Sequence, residues 1–198
     1  LALAPLVALG VRAATDALGA EPVETLLHET GQWALRLLLA SLAVTPARRW
    51  LGLPALAPLR RSFGLLALLY AGLHFGVYLG LEVGLDPGLL VEDVTERPYV
   101  TAGFGALLLL PLGITSTRGW QRRLGRRWVR LHRLVYVAAG LAVLHFLWLV
   151  KADLREPLIY ASVLGVLLLA RLPRLPRPAG RRRPRPAPLT RGSRPDSL

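Results

Sequence analysis

The stretch that decides the fold is SFGLLALLYAGLHFGVYLGL, residues 62–81, whose only titratable group besides two tyrosines is His74. An α-helix needs about 20 residues, each rising about 1.5 Å, to cross the hydrocarbon core of a bilayer. The stretch has that length and contains no Asp, Glu, Lys or Arg. It therefore predicts a transmembrane helix with a histidine at membrane depth.

The rest of the chain repeats this pattern. Of its 198 residues 53% are hydrophobic, and the mean hydropathy is +0.43. An apolar stretch at residues 1–11 is too short to be a span, and we interpret it as the end of a truncated first helix. We predict an all-α fold, a polytopic transmembrane helical bundle of six helices, over residues 1–171. The other predicted spans are 27–46, 99–115, 131–150 and 157–171.

The charged residues alternate between the segments that join these spans. Segments 47–61, 116–133 and 171–198 together hold 20 basic residues and one acidic residue, whereas segments 12–29, 82–98 and 151–156 hold 4 basic and 11 acidic residues. Arginine-rich loops are retained in the cytoplasm. We therefore expect a multi-pass protein of the inner (cytoplasmic) membrane, with both termini in the cytoplasm and the acidic segments outside.

The C-terminal segment, residues 172–198, is rich in arginine and proline and is predicted to be a disordered cytoplasmic tail that contacts anionic membrane lipids. A net charge of +13 would suggest a nucleic-acid partner in a soluble protein. Here the charge flanks predicted spans, so we expect no nucleic acid. The absence of cysteine excludes disulfides, iron–sulfur clusters and thiolate catalysis within this sequence. No glycine-rich phosphate-binding motif is present, so no nucleotide-binding module is expected.

Few ionisable residues lie at membrane depth, and we take these as the candidate site: His74, His145, His132 and Arg36. Such residues are costly in lipid and are usually functional. No carboxylate lies inside a predicted span, which is unlike a proton relay. Histidines without carboxylates favour metal ligation, and haem iron with two axial histidines is a common solution in helical bundles. Zinc or copper ligation, and plain hydrogen-bonded core histidines, are the alternatives.

The positions of the histidines favour one haem over two. His74 and His145 lie at matching depths on two predicted spans, so they can hold one porphyrin between them. His132 precedes His145 by 13 residues, which is about 20 Å along a helix and about 140° around it. That offset suits a second centre on the cytoplasmic side only if the helix is distorted. Arg36 could pair with a haem propionate, a quinone or a flavin.

Three glycines in the first-quoted stretch, Gly72, Gly76 and Gly80, recur every fourth residue. Small residues at this spacing let two helices approach closely. We expect them to mediate helix packing; room for a porphyrin is the alternative.

Six ordered stretches carry a family resemblance: HETGQWALRLLLASLAVTP (28–46), RRSFGLLALLYAGLHFGVYL (60–79), ERPYVTAGF (96–104), TSTRGWQRRLGRRWVRLHRLVYVAA (115–139), HFLWLVK (145–151) and PLIYA (157–161). On these the chain resembles the MsrQ family, the haem-binding membrane subunits of protein-methionine-sulfoxide reductase systems. That family is part of the ferric-reductase-like transmembrane superfamily.

The resemblance implies b-type haem held by His74, His145 and His132, with one haem expected and a second allowed. It implies electrons from the quinone pool or from a cytosolic flavin reductase, with FMN as a further cofactor. The acceptor would be a periplasmic molybdopterin-dependent methionine sulfoxide reductase that repairs oxidised envelope proteins. Two-haem ferric reductases have a further histidine where this chain has Arg60 and Arg61, so the second haem lacks an obvious ligand.

Two other functions fit the sequence less well. One is a stand-alone ferric or quinone reductase without a protein acceptor. The other is a metal or proton transporter, or an assembly factor, whose histidines bind metal or protons. The missing intramembrane carboxylates argue against the transporter. In the favoured interpretation the chain is an electron-transfer subunit without a substrate-reducing site of its own.

Overall fold

The computed structural model describes residues 2–150 and 153–171, and it shows helices joined by turns, with no strand along these two ranges. The all-α prediction is confirmed for this part of the chain, and the predicted tail 172–198 lies outside the described residues. The α-helices are α1 (Ala4–Ala14), α2 (Pro22–Leu51), α3 (Ala57–Val77), α4 (Pro87–Glu96), α5 (Pro98–Gly103), α6 (Leu109–Ile114), α7 (Arg118–Leu124), α8 (Arg126–Leu131), α9 (Leu134–Leu149) and α10 (Arg155–Leu169). Short 3₁₀ segments cover Pro54–Leu56 and Phe104–Leu108, and a π-helical segment covers Tyr78–Glu82.

The helices α2 and α3 form a long antiparallel hairpin. Pro22 begins the 30 residues of α2, where a missing N–H costs nothing. Gly52 ends the helix with φ of +66°, a left-handed conformation that glycine adopts without strain. Pro54 then starts the 3₁₀ turn that leads into α3. The hydroxyl of Ser41 on α2 donates to the carbonyl of Arg60 on α3, 2.9 Å away, near the closed end of the hairpin.

Two helical runs are both long and apolar enough to cross a membrane: Pro54–Glu82 and Arg126–Leu149. A third span results if Pro87–Glu96 and Pro98–Ile114, which meet at 99°, are counted as one. The bend falls at Arg97, whose extended backbone is the conformation favoured before a proline. The described residues thus contain two or three such spans, and the predicted count of six is not confirmed.

The helix α9 lies at the centre of the molecule. It packs against α5, the following 3₁₀ segment, α2, α6 and α10. Gly105 allows one of these contacts, because a β-carbon built there would lie 2.5 Å from Cδ1 and 2.6 Å from Cβ of Leu141. Tyr70 and Ala139 are fully buried in the shared core, and Leu42 is 1% exposed. This packing brings the C-terminal ends of α3 and α9, with His74 and His145, to the same level of the bundle.

Candidate functional site

His74 lies in the last turn of α3, and its ring packs against α2. Its Nδ1 atom lies 2.9 Å from the carbonyl oxygen of Leu27. A carbonyl only accepts hydrogen bonds, so Nδ1 is the donor and the neutral ring keeps its lone pair on Nε2. The close approach depends on Gly31, where a β-carbon would lie 3.1 Å from both Cε1 and Nδ1 of His74.

His145 on α9 has the same arrangement against α5. It donates Nδ1–H to the carbonyl oxygen of Tyr99 over 2.7 Å. A β-carbon at Gly103 would lie 2.9 Å from its Nδ1 and 3.1 Å from its Cε1. Both histidines therefore have a defined tautomer, with Nε2 available as a ligand.

The two rings lie edge to face, with centroids 6.0 Å apart and planes at 82°. Two imidazole nitrogens on opposite sides of one metal ion, each at about 2.0–2.1 Å, would place the centroids roughly 6 Å apart, since each centroid lies about 1 Å beyond its nitrogen. Metal-bound histidines also commonly donate their second N–H to a backbone carbonyl or a carboxylate. The residues present therefore fit a haem iron with His74 and His145 as its two axial ligands.

Zinc fits the described residues less well than haem iron does. A zinc site uses three or four protein ligands. The described residues contain no group of three or more His, Cys, Asp or Glu placed to hold a metal ion. A pair of histidines is the ligand set of a six-coordinate haem, whose porphyrin supplies the other four nitrogens.

His132 lies apart from this pair, in the turn between α8 and α9. Its ring stacks on Trp128, with centroids 3.9 Å apart, and its Nδ1 lies 3.2 Å from the Trp128 carbonyl oxygen. The Trp128 indole N–H in turn donates to the carbonyl of Thr115 over 2.8 Å. His132 thus also has a held ring, but the structure pairs it with no second histidine among the described residues.

Arg36 lies in a group of polar side chains between α2 and α10, which we call the α2–α10 polar cluster: His28, Gln32, Arg36, Glu156 and Tyr160. Arg36 donates from Nε to the Tyr160 hydroxyl over 2.9 Å and from Nη2 to Gln32 Oε1 over 2.6 Å. The Gln32 amide nitrogen lies 2.8 Å from both His28 Nε2 and Glu156 Oε2. The guanidinium also lies over the Trp33 ring, 5.1 Å from its centroid. These contacts compensate the charge of Arg36 within α2.

The expectation that Gly72, Gly76 and Gly80 mediate helix packing was wrong. A β-carbon at any of the three would meet no atom within 4 Å, and all three are exposed. Nor do Gly72 and Gly76 make room beside His74, because each is two residues from it, about 200° around an α-helix. They lie on nearly the opposite face of α3.

The sequence reasoning missed the groups that hold the two histidines. Two of them are main-chain oxygens, of Leu27 and Tyr99, which carry no signal in a sequence. The other two are Gly31 and Gly103, and a glycine inside an apolar helix is a recognised sign of close approach. The more regular series Gly72, Gly76 and Gly80 gave the stronger packing signal in the sequence.

Comparison with known proteins agrees with this geometry. The model of the family described as "Ferric reductase like transmembrane component" matches residues 30–156, a range that contains both histidines and Arg36. The chain thus belongs to the class of membrane proteins that contain a ferric-reductase-like transmembrane component. No solved structure matches the chain.

Curated relatives narrow the class. One from Xanthomonas axonopodis pv. citri, "Protein-methionine-sulfoxide reductase heme-binding subunit MsrQ", is 49% identical over 174 residues, covering 84% of this chain and 80% of the relative. A relative of the same name from Rhodospirillum rubrum is 51% identical over 183 residues, covering 91% of this chain and 86% of the relative. This chain belongs to the MsrQ family of ferric-reductase-like membrane proteins, which confirms the resemblance noted in its sequence.

Proposed function

We propose that this protein is a membrane haem b electron-transfer subunit in which His74 and His145 are the axial ligands of one haem. The observation that carries the proposal is the pair of imidazoles with centroids 6.0 Å apart, each with its Nδ1 hydrogen-bonded to a backbone carbonyl. Haem supplies reversible one-electron chemistry at the iron. The chain supplies the two nitrogen ligands, their orientation and an apolar surrounding.

Arg36 and His132 have supporting roles in this proposal. Arg36 balances the negative charge of a haem propionate with the donors that Tyr160 and Gln32 leave free. His132 ligates or stabilises a second redox centre on the cytoplasmic side, beside the Trp128 ring on which it stacks. FMN is a further candidate for that centre.

The proposed direction of electron transfer, outward to the periplasm, is based on the family and on the charge pattern. The curated relatives are named as subunits of a protein-methionine-sulfoxide reductase. We propose an inner-membrane location with cytoplasmic termini, based on the arginine-rich loops. Electrons would enter from the quinone pool or a cytosolic flavin reductase. They would leave to a periplasmic molybdopterin-dependent methionine sulfoxide reductase docked on the acidic segments 12–29 and 82–98.

The first test is the visible spectrum of the detergent-purified protein, oxidised and then reduced with dithionite. We expect a Soret band with sharp reduced α and β bands, lost or converted to a five-coordinate spectrum in His74→Ala and in His145→Ala. The control is Gln121→Ala, which changes an exposed side chain on α7 and should leave the spectrum unchanged. A wild-type protein that stays colourless after reconstitution with haem would sink the proposal in favour of a transporter or assembly factor.

The acceptor is tested separately. Reduced protein is mixed with the purified periplasmic reductase, and haem reoxidation is followed by absorbance. Reoxidation that depends on the reductase supports the subunit role. Reoxidation by ferric chelates or quinones alone, with no effect of the reductase, would identify a stand-alone ferric or quinone reductase.

A further inference from the structure

The two histidines are held by the same local device, on two different helices. In each case the acceptor carbonyl lies four residues before a glycine: Leu27 before Gly31, and Tyr99 before Gly103. In each case the histidine ring lies directly over that glycine. The repetition on α2 and α5, which share no sequence repeat, indicates a geometric requirement.

Helix geometry explains the spacing of four. A side chain on an α-helix points toward the N-terminus and covers the turn that precedes its own Cα. The carbonyl of residue i is therefore covered by the side chain of residue i+4. That carbonyl already accepts the N–H of residue i+4 in a regular helix, but its oxygen has a second lone pair. Only glycine at i+4 leaves the second lone pair open to a ring that approaches from the side.

We propose that Gly31 and Gly103 are positioning residues that set the ligand strength of His74 and His145 by keeping the carbonyls of Leu27 and Tyr99 open to their Nδ1–H groups. This inference rests on the proposed haem ligation. A hydrogen bond from Nδ1–H to a carbonyl fixes the ring and makes Nε2 a stronger donor. A stronger donor favours the ferric over the ferrous state, so the two glycines hold the reduction potential down.

The distances predict a graded effect. A β-carbon at Gly103 would lie 2.9 Å from His145 Nδ1, a contact that forces the ring to move. A β-carbon at Gly31 would lie 3.1 Å from the nearest atoms of His74, which a small displacement relieves. Gly103→Ala should therefore lengthen its Nδ1···O hydrogen bond more than Gly31→Ala does.

The experiment uses the full-length protein purified with its haem, as wild type, Gly31→Ala and Gly103→Ala. Gly165→Ala is the matched control, because Gly165 lies inside the apolar helix α10 and a β-carbon there would meet nothing within 4 Å. Haem affinity is measured by titration of the stripped protein, and the midpoint potential of the bound haem by redox titration. Loss of a ligand's hydrogen-bond partner typically weakens metal binding about 10- to 100-fold.

We expect Gly103→Ala to bind haem about 10-fold more weakly or worse, with the midpoint potential of the retained haem shifted upward. Gly31→Ala should shift both in the same direction by less, and Gly165→Ala should match wild type. If Gly103→Ala yields no monodisperse protein, Gly31→Ala decides the question alone.

The outcomes separate this inference from the proposed function. If the retained haem keeps the wild-type potential in both glycine variants, the glycines have only a structural role and the inference is overturned. An equal shift in Gly165→Ala would overturn it as well. A wild-type protein without haem would instead contradict the proposed function itself.

Discussion

Arg36 shows how a charged residue can be held inside a long helix without forming an ion pair. It lies within the 30-residue helix α2, and no Asp or Glu of the described residues forms an ion pair with it. Its neutral partners, Gln32 and Tyr160, take two of its N–H donors, and Trp33 offers the face of its ring. Arg36 has five N–H donors, and those that Gln32 and Tyr160 do not use fit the proposed pairing with a propionate.

This residue-scale arrangement predicts a measurable coupling between Arg36 and Tyr160. In a double-mutant cycle with Arg36→Met and Tyr160→Phe, we expect a coupling of about 1.7 kcal/mol. That is the upper end for hydrogen bonds between membrane helices, because this donor is charged. The free energy of unfolding in detergent is the measurement.

The cycle contains its own control. Tyr160→Phe should destabilise the wild type but have almost no effect once Arg36 is Met. Additive losses would show that the 2.9 Å contact contributes nothing to stability.

At the scale of helices, the contact between α9 and the 3₁₀ segment Phe104–Leu108 positions His145 against α5. The segment follows Gly103 directly, and a 3₁₀ stretch inside a span often marks a functional site. Gly105 lets the segment lie against Leu141, one turn before His145. The tight packing here explains how the ring reaches the Tyr99 carbonyl.

We therefore predict that Gly105→Ala destabilises the protein by about 1–3 kcal/mol, the usual cost of overpacking a core. The β-carbon would lie 2.5 Å from Leu141 Cδ1 and 2.6 Å from its Cβ. Adding Leu141→Ala should recover only part of the loss, since the Cβ contact remains. Thermal unfolding of the single and double variants is the measurement, with Gly165→Ala as the control that should melt at or slightly above the wild-type temperature. A Gly105→Ala protein as stable as wild type would show that the α9 contact is looser than its geometry indicates.

At the scale of the whole molecule, the charge pattern predicts the orientation in the membrane. The chain contains no cysteine, so a maleimide can react only with a cysteine that is introduced by mutation. Val91 on α4 is 62% exposed in an acidic segment, and Gln121 on α7 is exposed in an arginine-rich segment. We expect a membrane-impermeant maleimide, applied from the periplasmic side, to label Val91→Cys but not Gln121→Cys.

The cysteine-free wild type is the control and should take up no label. After permeabilisation of the inner membrane, Gln121→Cys should label as well. Labelling of Gln121→Cys before permeabilisation, with Val91→Cys protected, would reverse the proposed orientation.

Whole-molecule topology is also where the prediction from sequence was least complete. The predicted span 27–46 lies within α2, which extends over Pro22–Leu51, and 99–115 corresponds to a run that continues at a 99° bend from α4. Hydropathy identifies apolar segments, but a polar network such as the α2–α10 polar cluster lowers the hydropathy of a helix that is long enough to span. Bends depend on local backbone geometry, here at Arg97 before Pro98.

The sequence alone determined the helical class, the family and the identity of the paired histidines. The class and the histidines follow from properties that each residue carries by itself: apolar side chains, arginines placed between apolar segments, and imidazoles in predicted spans without carboxylates. The family follows from the resemblance of the six ordered stretches. The tertiary structure alone decided what each imidazole faces. The carbonyls of Leu27 and Tyr99 and the open space above Gly31 and Gly103 exist as a site only when α3 packs on α2 and α9 packs on α5. Main-chain oxygens are the same at every residue, so only packing selects which of them a histidine meets.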